Sequence, residues 1–178
     1  MTIDSLWLDS SIIRMGIPKL RPLAQLARQK GVPVFVHAHI HLEICRYLRE
    51  NPKRRFDQTY INESLERLGI AIADFHMTKE SAETFAAMLH KRYPTSDKWK
   101  TAKLGSVRAT LPSGATVNVE TVPMTTDWWV ALEVERLKGY IAVEDKGDEW
   151  DALRRMKPCR ALSYDDCMDW LRGRTSAS

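Results

Sequence analysis

Apolar positions along the chain change period several times, and each change marks an element. Residues 3–8 (I-D-S-L-W-L) and 32–36 (V-P-V-F-V) are short apolar runs of strand length. Between them, 20–30 (L-R-P-L-A-Q-L-A-R-Q-K) has helical spacing and stops at Gly31, a residue suited to the end of a helix. Strand, helix, strand in that order predicts a βαβ unit and therefore a parallel sheet. Residues 38–50 predict another helix, with Ile40, Ile44 and Leu48 on one stripe and Pro52 beyond its end. Residues 57–68 predict a helix closed by Gly69, and 70–75 (I-A-I-A-D-F) a buried strand.

Thr78 is placed to cap a helix over 79–92, which Pro94 follows. The rhythm then breaks over 95–123. There V-R-A-T-L-P-S-G-A-T-V-N-V reads as a hairpin turning at Pro112-Ser113-Gly114. Its alternating Val107, Leu111, Val117, Val119 and Val122 predict one buried face. Thr126 then caps a helix over 127–138 that ends at Gly139. Y-I-A-V is a fourth strand, an acidic loop follows, and R-A-L is a short edge strand. Ser163 caps a last helix over 164–172. The expected fold is α/β, with three layers, helices on both faces of a mostly parallel central sheet, and a β-hairpin inserted near 105–122. The expected domain covers 1–172, with a disordered tail at 173–178.

Composition adds limits. The 178 residues are 44% hydrophobic and 28% charged, as in an ordinary globular protein. No apolar run approaches the ~20 residues of a membrane span. The first residues, M-T-I-D-S-L-W-L-D, lack the basic and then apolar pattern of a secretory signal. Cys45, Cys159 and Cys167 are odd in number and have no C-x-x-C spacing. Reduced thiols in a cytoplasmic protein are expected. The net charge of +4 permits a nucleic-acid partner without requiring one. Among the basic clusters, R-E-N-P-K-R-R-F at 49–56 is the most suggestive, because an aromatic stands beside the charge.

Candidate chemistry lies where strands end, since open α/β sheets gather ligands at the C-terminal ends of their strands. Asp9 closes the first strand, Glu43 lies early in the helix after the second, Asp127 opens a helix, and Asp145 follows the fourth strand. Each alone is an ordinary turn, cap or surface acid. Together they start from one sheet edge, where carboxylates repel unless neutralised. Mg²⁺ or Mn²⁺ is the natural partner of an all-oxygen set. A histidine site competes for attention at V-H-A-H-I-H-L-E-I-C. If the chain turns helical after Val36, however, His37, His39 and His41 are about 200° apart at each step and do not converge. Zinc also needs three or four ligands, and no further Cys/His pair at ligand spacing is present.

The same residues resemble a family. L-W-L-D-S-S-I-I is similar to the opening of a PIN domain, an apolar strand and Asp followed by a small hydroxyl residue. H-L-E-I-C-R-Y-L is similar to that family's second element, an acid in a short apolar-basic helix. Asp127 and Asp145 stand eighteen residues apart, the usual interval between its third and fourth acids. The resemblance runs over roughly 3–171 and extends to ribonuclease toxins of the VapC type. It departs at Val143, where the family often has Thr or Ser, and in an aromatic displaced toward Trp150. Glu144 and Asp148 are alternatives to Asp145.

What the resemblance implies is a cytoplasmic Mg²⁺- or Mn²⁺-dependent endoribonuclease, the toxin of a toxin–antitoxin pair. Its ligands would be Asp9, Glu43, Asp127 and Asp145. Substrate contacts would come from Ser10 or Ser11 and from Arg46, Arg49 and Lys146. Its partners would be RNA, an antitoxin protein and a second copy in a homodimer. Two alternatives remain open: a PIN-like nuclease for DNA or structured RNA, and a catalytically silent RNA-binding or assembly module.

Overall fold

The computed structural model describes residues 4–50, 58–73, 105–110, 116–121 and 126–174. Five strands form one sheet: β1 (Leu6–Leu8), β2 (Val34–His37), β3 (Ala71–Ala73), β6 (Tyr140–Ala142) and β7 (Ala161–Leu162). Their order is β3-β2-β1-β6-β7, and every adjacent pair is parallel. Leu6, Trp7 and Leu8 stand opposite Val34, Phe35 and Val36 on one side and Tyr140, Ile141 and Ala142 on the other. Central strands covered on both faces read as unbroken apolar runs, which is why L-W-L and Y-I-A carry no alternation. All six of those residues are buried.

Helices cover both faces. α1 (Ser10–Arg14) and α2 (Ile17–Gln29) lie between β1 and β2, and α3 (Ala38–Glu50) and α4 (Gln58–Leu68) between β2 and β3. Right-handed crossovers from β1 out to β3 place these on one face. α5 (Thr126–Arg136) and α6 (Asp148–Arg154) belong to crossovers running the other way, and they pack together on the opposite face. α7 (Tyr164–Arg172) returns to pack on α2. The core between these layers includes Ile12, Leu23, Ile40, Leu65, Val134, Trp150 and Leu171. Separately, β4 (Gly105–Thr110) pairs antiparallel with β5 (Thr116–Thr121). The expected turn at 112–114, the helix over 79–92, and most of the basic 49–56 stretch lie outside the described residues.

Local chemistry accounts for most boundaries. Gly31 (φ 67°) and Gly69 (φ 70°) take the left-handed conformation that ends α2 and α4. Ser163 caps α7, its Oγ accepting the Asp166 amide at 3.1 Å. Four expectations need correction. α2 begins at Ile17, three residues before the predicted start, because Pro18 suits a first turn. β3 is an edge strand with Ala71 exposed and Ile72 half-buried, so the buried strand expected at 70–75 has a neighbour on one side only. The acidic loop after β6 contains α6, whose Trp150 and Leu153 are core residues. α1 was not expected at all. Among the described residues, no helix is long and apolar enough to cross a membrane.

Gly139 joins α5 to β6 under tight constraint. A Cβ there would stand 2.8 Å from Trp7 Nε1 and 2.9 Å from Ser5 Oγ, both fixed by their own 3.0 Å hydrogen bond. Gly139→Ala is expected to destabilise the fold by about 1–3 kcal/mol through overpacking. A urea melt checks it, and an unchanged midpoint would refute it.

Candidate functional site

The chain runs from β1 outward to β2 and β3 on one side and places β6 and β7 on the other, so the strand order reverses between β1 and β6. Just beyond the ends of those two strands a doubly wound sheet leaves a crevice for ligands. Asp9 and the Val143–Lys146 segment occupy that position. The Asp9 amide donates to the Ala142 carbonyl at 3.0 Å, which fixes one strand end against the other.

Asp9 is 2% exposed and is the N-cap of α1. Its Oδ2 accepts the Ser11 amide at 2.9 Å and the Ser11 hydroxyl at 2.5 Å. The same hydroxyl oxygen accepts the Glu144 amide at 3.0 Å, so Ser11 ties both strand ends together. The buried Ser10 hydroxyl donates to Glu43 Oε1 at 3.1 Å, bringing the acid of α3 to this edge. Two adjacent serines therefore orient two carboxylates drawn from different elements.

Electrostatics show that three of the acids share one field. Burial raises the pKa of Asp9 above the ordinary carboxylate value, and Asp145 raises it further, against the hydrogen bonds from Ser11 and the Ser10 amide. Glu43 keeps an opening to solvent, yet the protein around it displaces part of its water and raises its pKa. Asp9 and Asp145 add to that rise, while Ser10 and Arg14 oppose it. Asp145 is exposed and pairs loosely with Arg14, Nη2 to Oδ2 at 3.5 Å. The structure thus joins Asp9, Glu43 and Asp145. Asp127 occupies the second position of α5, half-buried, at the same sheet edge, because α5 runs back antiparallel into β6.

Of the alternatives to Asp145, Glu144 is committed elsewhere, since its Oε1 accepts the Tyr164 amide at the start of α7 at 2.7 Å. Asp148 opens α6. Lys146 is exposed beside Asp145. Arg46 and Arg49 lie on α3, with their side chains outside the described part of the structure. Two residues at the site escaped sequence reasoning. Arg14 lies four residues after Ser10 on α1, and its Nε donates to the Ser10 carbonyl at 3.3 Å. Arg154 Nη2 donates to the Asp145 carbonyl at 2.8 Å and steadies that loop. The only sequence signal for Arg14 was a basic residue closing S-S-I-I-R.

The histidines serve structure. His37 precedes α3 in the capping position, and its Nδ1 accepts the His39 amide at 3.2 Å. A neutral ring with Nδ1 as acceptor carries its proton on Nε2, so His37 has no second lone pair for a metal. His41 pairs with Asn62 at 2.6 Å, and the His39 ring lies tilted at 39° against His37, with ring centroids 5.4 Å apart. Among the described residues, no three His, Cys, Asp or Glu side chains form a ready-made cage for an ion. The carboxylate edge nonetheless fits a hard divalent cation by its chemistry. Its donors are all oxygen, and Asp9 and Glu43 carry a desolvation and repulsion cost that a bound cation would reverse.

Fold and site together define an α/β protein that gathers Asp9, Glu43 and Asp145 beside the ends of its central strands, at the topological switch point. Comparison of the chain with models of protein families, with curated proteins and with solved structures returns no match.

Proposed function

We propose that the chain is a metal-dependent endoribonuclease of PIN-like type. What supports this reading is the gathering of Asp9, Glu43 and Asp145 at the switch point of a parallel sheet, through the hydrogen bonds of Ser10 and Ser11 and the Arg14–Asp145 pair. With Asp127 they would hold Mg²⁺ or Mn²⁺. When bound, such an ion supplies a water of lowered pKa and neutralises charge on the phosphate. The chain's own residues supply the orientation. Ser11 holds Asp9 and Ser10 holds Glu43, so neither carboxylate has to be ordered as substrate arrives. Arg14 and Lys146 place positive charge on the rim of an acidic crevice, where a polyanion needs it. The reading extends to a cytoplasmic, homodimeric toxin held in check by an antitoxin protein, on the family resemblance alone.

The test is direct. Purified protein should cleave single-stranded RNA with Mg²⁺ or Mn²⁺ and stop on addition of EDTA. Calorimetry should show Mn²⁺ binding. Absence of both metal binding and cleavage would sink the reading. Preference for duplex or branched DNA over RNA would keep the nuclease and change its substrate.

A further inference from the structure

Beside the acids, and sharing Arg14 with them, lies a cleft with mostly apolar walls between α1, α2, α3 and α4. Its lining includes Ile13, Arg14, Ile44, Tyr47, Tyr60 and Leu65. Two features tie it to the carboxylates. Glu43 and Tyr47 are four residues apart on α3, so the acid and the ring are neighbours one turn apart on one helix surface. Arg14 belongs to both places. It lines the cleft, stands 5.8 Å from the Tyr47 ring centre, and reaches Asp145 at 3.5 Å.

That 3.5 Å contact is at the long limit of a hydrogen bond, and both partners are substantially open to water, at 40% and 56% exposure. With its Nε still on the Ser10 carbonyl at 3.3 Å, the guanidinium can exchange this long contact to Asp145 for a phosphate, for which its planar fork is well matched. Beyond Arg14, the cleft offers aliphatic side chains and two tyrosines, and Tyr60 is among the most exposed large apolar residues described. A flat ring carrying an anionic group one bond system away fits this sequence of surfaces: acids, then a cation, then aromatic and aliphatic walls.

We propose that the cleft is a nucleobase subsite: the base of the nucleotide beside the scissile phosphate lies against Tyr47 and Tyr60, and Arg14 holds that nucleotide's phosphate. This deepens the ribonuclease reading and rests on it for the identity of the substrate. Stacking on an aromatic accepts any base, so the subsite favours single-stranded RNA with weak sequence preference.

The experiment titrates the protein, with EDTA present, with a nucleoside 5′-monophosphate, ribose 5-phosphate and inorganic phosphate. The nucleotide should bind roughly tenfold or more tightly than ribose 5-phosphate, the scale of one base stack. Tyr60→Leu should erase that margin and Tyr60→Phe should keep it. Arg14→Ala should weaken all three probes alike. Equal binding of nucleotide and sugar phosphate, or a margin that survives Tyr60→Leu, overturns the subsite and leaves the cleft to a protein partner. Metal-dependent RNA cleavage by the wild type, measured in parallel, separates the two failures. Cleavage without base-dependent binding removes the subsite alone, and base-dependent binding without cleavage removes the ribonuclease.

Discussion

Asp9→Asn should lower metal-dependent RNA cleavage by about a hundredfold or more, the scale expected when a direct ligand of a catalytic cation is lost. The substitution is nearly isosteric, and its amide oxygen can still accept from Ser11. The loss should therefore come from charge and not from misfolding. The same change should raise the melting temperature of the metal-free protein at neutral pH. The Asp9 pKa is raised in the fold, so the folded state binds its proton more readily than the unfolded chain does. Folding then carries a penalty at neutral pH that is relieved as pH falls toward the ordinary carboxylate range. An Asn pays no such penalty. Cleavage assays and thermal melts on one pair of proteins check both halves. Unaltered cleavage, or a variant less stable at neutral pH than the metal-free wild type, would count against the role assigned to Asp9.

The second large effect runs with the opposite sign in pH. Burial, and then the neighbouring His39, lower His37 to about 3 from the ordinary 6.5. Below pH 6.5 the unfolded chain takes up a proton that folded His37 refuses until about pH 3. Stability at this site therefore falls as pH drops through that window, approaching about 1.4 kcal/mol per pH unit. His37 is 1% exposed, so water screens little of this cost. Protonation would also replace the Nδ1 acceptor of the His39 amide with a donor and undo the cap of α3. His37→Asn keeps a side chain that caps helices well and cannot titrate. Wild type should lose melting temperature between pH 6.5 and 4 more steeply than His37→Asn, whatever their difference at pH 7. Parallel slopes would show that acid sensitivity arises elsewhere, for instance at His41, which burial also lowers.

These residues show which parts of the fold the sequence makes legible. Elements bounded by strong local chemistry are readable: Gly31, Gly69 and Ser163 mark helix ends because each meets a backbone demand set by its nearest neighbours. The parallel sheet follows from strand–helix alternation. Short helices are not readable, because S-S-I-I-R in α1 and D-E-W-D-A-L-R in α6 are two turns or fewer and give periodicity no room to develop. The burial of β3 was misjudged because an apolar run does not encode its place in the sheet order. At the site, Asp9 and Asp145 were readable by type and by position just beyond strand ends, and Glu43 and Asp127 by their places near helix starts. Arg14 was not, since nothing near it in sequence announces Asp145, 131 residues away. The histidines misled for a related reason. Alternation looks like a ligand ladder, while the β2–α3 junction turns the chain between His37 and Ala38 and makes the first of them a cap.

The Ser11 hydroxyl has one further consequence. It gives its only hydrogen to Asp9 and receives the Glu144 amide on its oxygen, so its rotor is locked between two strand ends before any ligand arrives. An aspartate held by a locked rotor has little reorganisation left to undergo. Ordering entropy at this corner is lost once, during folding, and would not recur each time a ligand binds. Differences in affinity among ions or substrates at this crevice should then reflect size and charge more than the cost of assembling Asp9.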